Sequence, residues 1–170
     1  MGYRDAIYYS VTGDRFSGPE AAAMQFSIAL VASSLAMLCA QLFVVQRWNG
    51  HPMRLLQFGL PFVIFGYLCI ANATDNLLLR AGMAMMGFGM GMATPGFSVT
   101  ATFMVKAEEQ GGLAGLNSSA PALGFVFGPL LGGYIYRSSP DLVYWIAAVV
   151  LIPLWFYVLR LKVPLLGQNS

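Results

Sequence analysis

AGMAMMGFGMGMATPGFSVTATFMV, residues 81–105, holds no charged side chain. At about 1.5 Å rise per residue such a run exceeds the roughly 30 Å hydrocarbon core of a bilayer, where only helices and closed barrels satisfy their own backbone. Four more charge-free stretches occur, at 21–46, 55–74, 110–136 and 142–159, the last barely long enough. Nine basic and seven acidic residues fall in the clusters around them. The pattern predicts an all-α integral membrane protein with five transmembrane helices: α1 over 21–46, α2 over 55–74, α3 over 77–105, α4 over 110–136 and α5 over 142–159. The lipid bilayer is its first expected partner.

Composition points the same way, since 58% hydrophobic and 9% charged residues are far from the roughly 25% charged content of soluble domains. A net charge of +2 leaves no basic patch for nucleic acid. Cys39 and Cys69 lie inside apolar stretches and read as packing or lipid-facing thiols, not as a disulfide or a metal site. The first twenty residues contain Arg4, Asp5, Asp14, Arg15 and Glu20 without an apolar run, so no cleavable leader is expected and α1 is retained.

Local chemistry marks the helix starts. Ser17-Gly-Pro-Glu20 has the form of a capping box, Asp75 precedes α3, Glu108 and Glu109 open α4, and Ser139-Pro140-Asp141 opens α5 with proline at a favoured first-turn position and an acid near the positive dipole end. For orientation, Arg4, Arg15, Arg137 and Arg80, counted with the α2–α3 loop, fall on one side; Arg47, Arg54, Lys106, Arg160 and Lys162 fall on the other. The short RWNGHPMR loop and the RLK tail concentrate the second group. By the positive-inside count that side is expected in the cytoplasm, with 163–170 as a cytoplasmic tail and 1–20 outside.

Several residues carry candidate roles. In α4, Gly124, Gly128 and Gly132 recur every four residues, a spacing that lets helix backbones approach in lipid, and the expected partner is α2 or a helix outside this chain. Pro129 and Pro121 leave the carbonyls of Phe125 and Asn117 without an amide, which weakens the helix at two points. Tight packing and conformational compliance are both compatible with this. In α3, Gly87, Gly91, Thr94, Ser98 and Thr102 lie on one stripe, and Pro95 frees the Gly91 carbonyl; packing and cavity lining both remain open. In α1, Ser27, Ser34 and Gln41 lie seven apart and share a face. An amide such as Gln41 needs partners in hydrocarbon, either along a pathway or in a structural interhelical bond, and Asn117 poses the same choice.

Met83, Met85, Met86, Met90 and Met92 wrap around α3 without His or Cys, so packing, or an adaptable apolar cavity, is expected and a metal is not. His51, beside Pro52, reads as a loop residue. No carboxylate lies within any of the five stretches, and no phosphate-binding loop, nucleophile elbow or carboxylate pair is present. Neither enzymatic activity nor a cofactor is expected.

Residues 124–133, GFVFGPLLGG, follow the pattern G-x-x-x-G-P-x-x-G-G, preceded by EEQGGLAGLNSS and by GFGMGMATP at 87–95. With DRFSGPEAA before α1 and RWNGHPMRLLQFG after it, they resemble the C-terminal part of a major facilitator superfamily transporter of the drug:proton antiporter branch, helices eight to twelve. The resemblance implies a partial C-terminal half whose missing partner is the N-terminal half, or another membrane helix bundle. It implies residence in a bacterial inner membrane and export of small lipophilic compounds in exchange for protons, not by this chain alone. Ser34, Gln41, Thr94, Phe97 and Asn117 would line one wall of the substrate cavity. Gly87, Gly91, Pro95, Pro121, Gly124, Gly128, Pro129, Gly132 and Gly133 would form the packing and conformational motif. The alternative is a five-helix membrane subunit or scaffold acting through helix association.

Overall fold

The computed structural model describes residues 19–161, apart from the side chains of 19–23, 136–138 and 140. Ser17 of the expected capping box, most of the 1–20 segment and the 163–170 tail lie outside it. The described chain is helical throughout, with five helices long and apolar enough to cross a bilayer. α1 runs over Pro19–Cys39 and continues as a π-helical segment, Ala40–Val45. The Gln46 amide closes that segment on the Gln41 carbonyl at 3.1 Å.

α2 spans Pro52–Ala71, three residues earlier than expected. The charge-free criterion excluded Arg54, but a first turn tolerates charge, and the start is set by local bonds. His51 Nδ1 accepts the Met53 amide at 3.1 Å, Trp48 Nε1 donates to the His51 carbonyl at 3.2 Å, and Pro52 takes the first helical position. His51 is thus an N-cap, a role its loop position did not suggest. Asn72 ends the helix, its Nδ2 donating to the Leu68 carbonyl at 2.8 Å.

Asp75 caps α3, Asn76–Met104, through a 2.6 Å bond from the Leu78 amide to Oδ1. A 3-10 turn at Ala107–Glu109 leads into α4, Gln110–Ser138, with the Lys106 amide donating to Glu109 Oε2 at 3.2 Å. α5 covers Pro140–Arg160 with Pro140 in its first turn; Ser139 makes no side-chain cap bond.

The helices pack in the order α1, α3, α2, α5, α4, with only a light further contact between α3 and α4. α2 is therefore the middle of the row, and α3 joins α1 to it. The α2–α5 contact buries Met53, Leu60 and Val158 under Leu56, Leu151, Trp155 and Leu161. It is tied by Trp155 Nε1 to the Gln57 carbonyl at 3.0 Å and by Gln57 Nε2 to the Val158 carbonyl at 3.2 Å. These bonds join the start of α2 to the end of α5 at one end of the helix pair.

Candidate functional site

Glycine organises α3 on two opposite faces. Gly82, Gly89 and Gly96 recur every seven residues and face α2, whose Gly59 and Gly66 share that spacing. A Cβ at Gly66 would stand 2.8 Å from the Gly82 carbonyl oxygen, and one at Gly96 would stand 2.7 Å from the Leu56 nitrogen. Backbone thus lies on backbone, the contact that associates helices in lipid, where apolar burial supplies no driving force. Phe62 and Phe88 add an edge-on pair with centroids 5.2 Å apart.

The other face of α3 packs on α1 in parallel register. Gly87 lies against the Ser33 carbonyl, and a Cβ at Gly91 would stand 2.8 Å from the Met37 carbonyl oxygen and 2.9 Å from Ala40 Cβ. Ala29 and Ala40, both 0% exposed, extend the small-residue row of α1. At the start of α3 the contact turns polar, as Arg80 Nη2 donates to Gln25 Oε1. Arg80, grouped with the α2–α3 loop for orientation though inside the expected 77–105 helix, sits half-buried in the second turn of the helix.

Of the residues expected to line a cavity, Ser34 is exposed on a face of α1 about a third of a turn from the α3-facing row, and its hydroxyl donates to its own helix at Leu30 O, 2.9 Å. Gln41 is half-buried in the π-helical segment, directly after Ala40, the neighbour of Gly91. Thr94 and Phe97 are exposed and, with Met90, lie on one side of α3 between its two glycine faces. Asn117 is half-buried in α4. Among the described residues no contact gathers these five into one pocket: Ser34, Thr94 and Phe97 are exposed on α1 and α3, while Gln41 and Asn117 are half-buried on α1 and α4.

The expected packing motif divides. Gly87 and Gly91 make close interhelical contacts, with Pro95 one turn beyond Gly91, whereas nothing lies within 4 Å of a Cβ at Gly124, Gly128, Gly132 or Gly133. Of the two partners expected for the α4 glycine face, α2 does not meet it, and a helix outside this chain is left as the other. α4 reaches the bundle mainly through α5, Pro121 and Pro129 are exposed, and Phe125 between them is 81% exposed. The α3 stripe divides too: Thr94 and Thr102 are exposed, and Thr102 Oγ1 bonds back to the Ser98 carbonyl at 2.9 Å. Thr100, not singled out from sequence, is the buried hydroxyl of α3, and its Oγ1 has no partner. Its position one turn after Gly96, on the α2-facing row, was the available signal.

Comparison with known families matches residues 10–169 to the model described as Major Facilitator Superfamily. Comparisons with curated proteins and with solved structures return no match.

Proposed function

The chain belongs to the major facilitator superfamily, an integral membrane family of transporters, and from that premise we propose that it is the C-terminal part of a secondary transporter of the drug:proton antiporter branch. It corresponds to helices eight to twelve and works with an N-terminal half to export small lipophilic compounds in exchange for protons. It resides in a bacterial inner membrane with its C-terminus in the cytoplasm. The observation that carries this reading is the glycine face of α4, where four glycines have nothing within 4 Å while the glycines at the α1–α3 and α2–α3 contacts meet backbone. A row of small residues facing open space is a surface shaped for another helix.

Thr94 and Phe97 of α3, with Ser34 and Gln41 of α1 and Asn117 of α4, supply one wall of the substrate path. A cavity near the bilayer midplane needs the opposing half to close it, and no carboxylate lies in the five charge-free stretches to carry a proton. Purified chain reconstituted in vesicles should therefore show no efflux of a lipophilic fluorescent cation under an imposed pH gradient beyond that of empty vesicles. Gradient-dependent efflux would overturn the reading. The α4 face also suits the alternative, a five-helix subunit acting by helix association, for which the chain would form stable oligomers with copies of itself.

A further inference from the structure

We infer that Arg80, with Gln25 and Asn76, forms a binding site for the anionic head of an amphiphile, a phosphate or carboxylate on an apolar chain, in the cleft between α1 and α3. The guanidinium carries a permanent charge and five donors. Of these, Nη2 is held by the neutral Gln25 Oε1, and Nε is buried without a partner. Asn76, one turn earlier on the same face of α3, has its Oδ1 buried and equally unpaired. A donor and an acceptor one helical turn apart are thus both left without a partner, at a place where an uncompensated cation is costly.

Among the described side chains no carboxylate neutralises Arg80. Asp75 spends Oδ1 on the Leu78 amide, Glu108 and Glu109 lie at the far end of α3, and Asp141 opens α5, which packs on α2 and α4. An incoming anion can take Nε and a free Nη hydrogen side-on in the paired geometry that suits carboxylate and phosphate. Its protonated oxygen, or a bound water, can donate to Asn76 Oδ1.

Depth selects an amphiphile over a small ion. The 29 residues of α3 exceed the hydrocarbon thickness, so the second turn lies at the headgroup boundary. Leu77 at 75% and Met24 at 65% exposure flank the polar cluster with apolar surface along which a tail can lie. This site stands apart from the Thr94–Phe97 face and does not depend on the export reading.

The test is equilibrium binding of radiolabelled dodecyl phosphate to the purified full chain in dodecyl maltoside micelles, which carry no phosphate, with radiolabelled dodecyltrimethylammonium as the same tail bearing the opposite charge. Wild type should bind dodecyl phosphate saturably and the cation at least about tenfold more weakly, and Arg80→Gln should weaken dodecyl phosphate binding about tenfold or more. Gln25→Glu should cause the same loss while melting at or above the wild-type temperature, because its carboxylate occupies the guanidinium; lost binding then cannot be lost folding. Displacement of dodecyl phosphate by phosphatidylglycerol would assign the site to a membrane lipid, and its failure to displace would assign it to a smaller anionic amphiphile. Wild-type affinity in Arg80→Gln or in Gln25→Glu, or equal binding of the cation, would overturn the site.

Discussion

Gly59 of α2 and Gly89 of α3 face each other reciprocally: a Cβ on Gly59 would stand 2.7 Å from the Gly89 carbonyl oxygen, and one on Gly89 would stand 2.6 Å from the Gly59 carbonyl oxygen. Each carbonyl therefore rests on the partner's Cα hydrogens, a weak C–H···O contact that repeats where helix backbones touch.

Gly59→Ala or Gly89→Ala should destabilise the chain by about 1–3 kcal/mol, because the added methyl meets backbone that cannot swing aside. Gly128→Ala should fall within about 0.5 kcal/mol of wild type, since its Cβ position is open. Thermal or denaturant unfolding in micelles measures both. Equal losses at Gly89 and Gly128 would contradict the packing.

Gly87→Ala should loosen α1 from α3, and Ser33→Gly should not rescue it. Although the Ser33 hydroxyl oxygen lies 2.5 Å from the Cβ position, the closest obstacle is the Ser33 carbonyl, which every residue keeps. Cross-linking between cysteines placed at Met37 and Met90 reports the separation of the two helices. Recovery of wild-type cross-linking in the double variant would show that the side chain was the obstacle.

Trp155→Phe keeps the ring in the α2–α5 core and removes the bond to the Gln57 carbonyl. The expected loss is about 0.5–1.5 kcal/mol, with more if the carbonyl is left dry. Unfolding in micelles checks it, and a stability gain would mean that the bond is not formed in the bilayer-like environment.

Cysteines at Gly50 and Glu108, in a chain with Cys39 and Cys69 replaced by Ala, should be shielded from a membrane-impermeant maleimide added to intact cells. A cysteine at Thr74, in the exposed turn between α2 and α3, should be labelled. The reverse pattern would invert the topology drawn from the basic loops.

Five spans, and helix starts such as Asp75 and Pro140, were legible in the amino-acid sequence, because hydrophobic length and cap bonds depend only on residues near one another along the chain. Which glycines touch was not. The four-residue row in α4 carries the conspicuous motif and faces open space, while the quieter seven-residue rows Gly59–Gly66 and Gly82–Gly89–Gly96 form the seam. A helix face becomes an interface only when the facing helix offers a matching small-residue row, so spacing within one helix leaves the partner undefined. Arg80 follows the same logic: in sequence its charge only bounded the charge-free stretch that begins at 81, and only the approach of Gln25 from α1, far away in the chain, turned it into a half-buried cation between two helices.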